Sequence, residues 1–168
     1  MSKKIRIGFL PLTKVNWTNE AMQKQRRDAI EMLSKIPNVE IVGGEDMIET
    51  EEQSIKILER FEKDRPDMLV ALFTTFALGT IVSLFAKRLK VPVVLWSIKE
   101  PDPAGGRLQA NSFCAANMNS HFLYRFHIPY FHVHGNIGDE KTLQDFDKTV
   151  RVVRAMDAVS KMRIGLIG

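Results

Sequence analysis

Short apolar runs recur along the chain, and stretches with apolar residues at helical spacing separate them. Apolar runs of four to eight residues between turn signals are typical of buried β-strands. The alternation therefore predicts a βαβα chain, in which a parallel sheet is covered by helices on both faces. The predicted strands cover residues 5–10, 39–42, 68–73, 91–96, 130–133 and 162–167.

The helix boundaries are predicted from capping residues. The hydroxyl of Thr18 is suited to cap a first helix, which Pro37 would end. Thr50 and Gln53 have the spacing of a capping box, so a second helix is expected to begin at about Thr50. A long final helix is expected over residues 141–159. At this chain length, right-handed crossovers favour an α/β, flavodoxin-like doubly wound sheet of about five strands.

One uncharged segment, residues 68–86, is long enough to span a membrane. Its middle contains Thr74, Thr75 and Gly79, which divide it into a strand-length apolar run and a helical pattern. A buried strand followed by a buried helix explains this better, so no membrane partner is expected.

Composition indicates a folded, cytoplasmic domain. The 168 residues are 45% hydrophobic and carry a net charge of +4, with the basic residues scattered. Scattered charge does not favour nucleic acid as a partner. Cys114 is the single cysteine, so an intrachain disulfide and a multi-thiolate zinc site are both excluded.

The end of the chain repeats its beginning. Residues 163–166, Arg-Ile-Gly-Leu, echo residues 6–9, Arg-Ile-Gly-Phe. We expect residues 1–161 to form one domain and residues 162–168 to be the first strand of a following domain.

The loops that follow the strands are where a doubly wound sheet binds ligands. Residues 11–18 precede a helix and contain small polar side chains, the pattern of a phosphate-binding loop, although Lys14 and Trp17 are bulky for that role. The loop 100–107 contains two prolines and two glycines. It either presents Asp102 and Arg107 to a partner subunit or a sugar, or is a solvated connector.

Histidine and aromatic residues are further candidates. All four histidines lie within residues 121–134, and His132 and His134 would point to the same face of a strand. No carboxylate or thiolate lies between the first and last of them, so no metal site is expected within this domain. Phe76 is either the wall of a ligand site or a core residue.

Three segments resemble one family of enzymes. Residues 72–79 (LFTTFALG), Trp96 with the Glu100-Pro101 loop, and residues 117–121 (NMNSH) are similar to the N-terminal domain of L-fucose and L-arabinose isomerases. Residues 128–136, the long helix and the closing strand resemble the link into that family's second domain.

The resemblance implies an enzyme that interconverts an aldose and a ketose through a cis-enediol. The metal, manganese or another divalent ion, would be held by later domains of the parent chain, so no catalytic residue is expected here and the isolated chain should be inactive. The first domain would cover the active site of a neighbouring subunit in a homo-oligomer, a trimer or hexamer. Substrate-binding residues would be Phe76, His121, Trp96 and Arg107.

The sequence also departs from the family. Leu10, Pro11 and Leu12 stand where the family places an arginine or glutamine that contacts the sugar, and Phe76 replaces the tryptophan of fucose isomerases. The sugar is therefore left open, and a divergent fucose-isomerase-like subgroup is the best placement. A stand-alone flavin- or nucleotide-binding domain and a purely structural module are the alternatives.

Overall fold

The computed structural model describes residues 3–77, 79–102 and 105–165. Five parallel strands form one sheet in the order β2-β1-β3-β4-β5, with helices on both faces. This confirms the predicted α/β doubly wound sheet. The strands are β1 (Ile5–Leu12), β2 (Val39–Val42), β3 (Met68–Phe73), β4 (Val93–Ser97) and β5 (Tyr130–His134). The helices are α1 (Glu20–Ser34), α2 (Glu51–Asp64), α3 (Gly79–Leu89), α4 (Ser112–Arg125) and α5 (Glu140–Ser160).

The central strand β3 divides the hydrophobic core into two halves. Leu69, Ala71 and Phe73 pack on the face covered by α2, α3 and α4. The alternate residues of the strand pack on the opposite face, against α1 and α5. Successive side chains of a strand point to opposite faces, so an entirely apolar strand requires cover on both sides.

The uncharged segment 68–86 consists of strand β3, a turn and most of helix α3. Among the described residues, no helix is both long enough and apolar enough to cross a membrane.

The helix caps agree with the sequence in one case and differ in another. Thr50 and Gln53 form the predicted capping box, each side chain accepting a hydrogen bond from the other's backbone N–H at 3.2 Å. The cap of α1 is Asn19 and not Thr18, and its side chain accepts from the N–H of Met22 at 3.0 Å. Thr18 instead donates its backbone N–H to a carboxylate of a neighbouring loop.

The predicted closing strand, residues 162–167, reaches beyond the described residues. Residues 162–165 have no regular secondary structure, and residues 166–168 lie outside the described ranges. The strand and a domain boundary after residue 161 remain predictions.

Gly8 gives a direct test of the packing between β1 and α2. A Cβ atom at Gly8 would lie 2.7 Å from Cε2 of Phe61 and 2.9 Å from Cδ2 of Leu69. Gly8→Ala should therefore lower the free energy of unfolding by about 1–3 kcal/mol, because extra volume in a packed core forces its neighbours to shift. Urea denaturation measures the change.

Gly165→Ala is the matched control, because no heavy atom lies within 4 Å of the Cβ it would add. Equal stabilities of the Gly8 and Gly165 variants would contradict the packing described for α2.

Candidate functional site

The loops after β1 and β3 meet at the carboxyl edge of the sheet, where the strand order reverses. The hydroxyl groups of Thr13 and Thr75 share a hydrogen bond of 2.9 Å, and both residues are buried. The backbone N–H of Lys14 donates to Oγ1 of Thr75, also at 2.9 Å. These bonds fix the two loops at the point where ligands bind in doubly wound sheets.

Exposed aromatic side chains surround this point. Phe76 follows the threonine pair and is 42% exposed. Its backbone N–H donates to the carbonyl of Ala110 at 2.8 Å, which holds it beside the start of α4. On the β1 loop, Nζ of Lys14 lies 4.6 Å from the centre of the exposed Trp17 ring. The edge thus presents aromatic surface together with positive charge.

Glu100 shapes the long loop between β4 and α4. Its carboxylate accepts hydrogen bonds from the backbone N–H groups of Gln109, Ala110 and Asn111, the last two at 2.7 Å. Desolvation raises the pKa of Glu100, but the three N–H donors outweigh it, and the pKa lies below its ordinary value.

Ser112 anchors the beginning of α4 to the strand ends. Its hydroxyl donates to the carbonyl of Phe73 at 2.6 Å and accepts from the N–H of Ile98 at 2.9 Å. The helix therefore begins directly behind the carboxyl ends of β3 and β4.

Two of the four predicted substrate contacts are accessible near this edge. Phe76 stands on the edge itself, and Arg107 is exposed in the Glu100 loop, of which residues 103 and 104 lie outside the described ranges. The structure places Phe76 as an exposed wall, and its alternative as a buried core residue is not supported.

Trp96 requires a correction, because its side chain is fully buried in the core. The indole N–H donates to the carbonyl of Gly135 at 3.0 Å, and the ring lies 4.7 Å from that of Phe146 on α5. A residue enclosed in this way has no surface for a substrate.

His121 lies on the exposed side of α4, away from Phe76 along the helix. It follows Ser112 by nine residues, which corresponds to about 13 Å of helix. The structure does not bring His121 and Phe76 into one site within this chain.

The first loop differs from a phosphate-binding loop in its electrostatics. The carboxylate of Glu49 accepts the backbone N–H groups of Thr18 at 3.0 Å and Asn16 at 3.3 Å. The hydrogen bond from Thr18 is the largest cause of a lowered pKa of Glu49, which desolvation only partly opposes. A negative charge occupies the amides that would bind a phosphate, so this loop does not favour the flavin or nucleotide alternative.

The described residues do not fit a resident manganese centre. Within residues 3–77, 79–102 and 105–165, no three or more His, Cys, Asp or Glu side chains come together in an arrangement that could hold a metal. Manganese prefers carboxylate and other oxygen ligands, and such a set is not assembled in this part of the chain.

The carboxyl edge is an exposed surface, and the largest hollow described lies elsewhere. That hollow, of about 800 Å³, is at the opposite edge and is lined in part by Arg65, Arg88 and Lys161. Because the threonine pair, the aromatic groups and the Glu100 loop lie at the carboxyl edge, we place the candidate site there, as one wall of a site.

A doubly wound α/β domain with such a wall is the class of protein that the fold and the edge define. Residues 8–160 match the family model described as fucose/sulfoquinovose isomerase, N-terminal domain, and the chain belongs to this family.

The relatives found are full-length enzymes. The chain is 27% identical over 161 residues to the sulfoquinovose isomerase of Priestia aryabhattai and 28% identical over 164 residues to that of Alkalicoccus urumqiensis. Each match covers 95% of this chain but 35% of the relative. The resemblance to fucose isomerases is confirmed, and the chain spans about a third of the length of these relatives.

The Glu100 contacts predict a pH-dependent loop. Glu100→Gln should increase the hydrogen-exchange rates of the 109–111 amides roughly fivefold at pH 7, or about 1 kcal/mol of local opening, because solvent screening limits the loss. The folded pKa is depressed, so the stabilisation is present above the ordinary value of 4.5 and is lost as pH falls through the lowered pKa. Wild type and variant should converge there.

Asp102→Asn is the control, since it removes a carboxylate from the same loop without removing any of these three bonds. Equal exchange in wild type and Glu100→Gln at pH 7 would show that the carboxylate does not hold the loop.

Proposed function

We propose that the chain forms one wall of the active site of a metal-dependent aldose–ketose isomerase and covers a sugar bound by another part of the protein. The observation that carries the proposal is the exposed Phe76 at the strand-order reversal of a domain that belongs to the fucose/sulfoquinovose isomerase family. An aromatic face packs well on the C–H groups of a sugar ring and excludes water from it.

The chemistry of isomerisation is assigned elsewhere. Proton transfer between adjacent carbons requires a positioned acid–base group, and a divalent metal polarises the sugar oxygens when bound. The described residues do not fit such a centre, so we assign this chain the tasks of binding, orienting and shielding the sugar.

The charge at the edge supports a negatively charged sugar. Lys14 and Arg107 are both exposed there, and Glu49 and Glu100 are each bonded to loop amides. The curated relatives are named sulfoquinovose isomerases. We propose a sulfonated hexose of that kind as the first substrate to test, with L-fucose and L-arabinose as the neutral comparisons.

The separation of Phe76 and His121 supports an oligomeric site. Phe76 stands on the carboxyl edge, whereas His121 is on the outer side of α4. A neighbouring subunit in a trimer or hexamer would have to extend over both surfaces for both residues to reach one sugar. The two residues are therefore tested separately.

Phe76→Ala in an isomerase that contains this chain as its N-terminal domain should lower kcat/KM roughly tenfold to a hundredfold, because the sugar loses its aromatic wall. Steady-state kinetics measures the loss, and the affinity for manganese should not change.

Phe126→Ala is the matched control, because Phe126 is also 42% exposed but lies among the residues near the opposite edge. An equal effect of the two substitutions, or loss of manganese binding in Phe76→Ala, would contradict the role given to Phe76.

His121→Ala should lower kcat/KM by about tenfold through loss of one hydrogen bond to the sugar. His127→Asn is its control, since His127 has a positive φ of 58° or less that asparagine tolerates, namely 55°. Unchanged kinetics in His121→Ala would remove that residue from the site and leave Phe76 in place.

The 168-residue chain by itself should fold without isomerising sugars. With manganese and sulfoquinovose, L-fucose or L-arabinose, product should not exceed a metal-free blank in a ketose assay. Turnover by the isolated chain would contradict the division of labour proposed here.

A further inference from the structure

A second polar cluster lies at the ends of β4 and β5, among residues that the proposed site wall does not use. His132 and His134 are two positions apart on β5 and point to the same face, and Ser97 pairs with His134 across the parallel strands. Oγ of Ser97 lies 3.0 Å from Nε2 of His132 and 2.9 Å from Nδ1 of His134. Two imidazole nitrogens thus converge on one hydroxyl oxygen.

These distances match the spacing of ligands around a metal ion. Two donor atoms that each lie about 2.1 Å from a metal, at right angles to one another, are about 3.0 Å apart. The nitrogen, oxygen and nitrogen atoms are therefore spaced like three neighbouring ligands of a five- or six-coordinate ion. The remaining positions would be filled by water.

The surroundings give an ion access from one side. Ser97 is completely buried, whereas both histidines are exposed, because β5 is the edge strand of the sheet. The ring of Phe113 on α4 lies 5.8 Å from the His132 ring and 5.4 Å from the His134 ring. Phe113 forms an apolar wall beside the cluster and leaves the other side open to solvent.

The protonation state also suits coordination. Burial, and then the charge of His134, lower the pKa of His132. Neutral imidazole is the form that binds metals.

We propose that Ser97, His132 and His134 form a binding site for a divalent transition-metal ion of the Zn²⁺, Co²⁺ or Ni²⁺ class. Two imidazoles and no carboxylate favour these ions over Mn²⁺ and Mg²⁺, so the site differs in chemistry from a manganese centre. The proposal does not depend on the isomerase function, because it rests on these three side chains alone.

Calorimetric titration of the metal-free 168-residue chain with Zn²⁺ or Ni²⁺ alone tests the site. All proteins carry Cys114→Ser, so that the exposed thiol on α4 makes no contribution. We expect one ion per chain, and His132→Ala and His134→Ala should each weaken binding at least about tenfold. Ser97→Ala should weaken it by roughly threefold or more, an effect that two isolated surface histidines would not show.

His127→Asn is the matched control and should bind like the parent, because it removes an exposed histidine outside the cluster. Circular dichroism establishes that Ser97→Ala is folded, and His134→Gln provides a second test that leaves the buried serine intact. Three results would overturn the proposal: no binding, unchanged affinity in both strand-histidine variants, or an equal loss in His127→Asn. Mn²⁺ bound as tightly as Zn²⁺ would overturn the ligand assignment.

Discussion

Burial of β3 on both faces is the constraint on which the rest of the structure depends. All six of its residues are fully buried, so helices must cover both sides of the sheet. Helices that alternate with strands on both faces make the sheet parallel, and a parallel sheet brings the carboxyl ends of its strands to one edge. The threonine pair, Phe76 and the Glu100 loop are near one another for that reason. The functional edge is thus a consequence of how the core is buried.

Electrostatics then gives this edge its character. The carboxylates of Glu49 and Glu100 accept the backbone N–H groups of the loops after β1 and β4. Loop amides that would otherwise be free to bind an anion are satisfied within the fold. Recognition of a negatively charged sugar would accordingly rely on side chains such as Lys14 and Arg107, with the exposed aromatic rings packing on the carbon skeleton.

Much of the fold could be predicted because strand and helix periods are visible along a single chain, and the capping box at Thr50 is a local pattern. The site was harder, because it depends on which face a side chain occupies and what covers it. Trp96 ends an apolar run as an exposed site residue would, but its position in the strand turns it towards α5 and Phe146. The sequence places His132 and His134 on one face, whereas the contribution of Ser97 depends on the register between two strands. The contacts of Glu49 and Glu100 join distant loops or bridge a long one, and no local pattern marks them.

The central claim is that the carboxyl edge of this domain faces the sugar. Hydrogen exchange of an isomerase that carries this domain, with and without manganese and sugar, tests it most directly. Sugar binding should slow exchange at residues 74–77 and 109–111, while residues 65–67 and 90–92 at the opposite edge should exchange as before. Protection confined to residues 65–67 and 90–92, or unchanged exchange at residues 74–77 and 109–111, would contradict it.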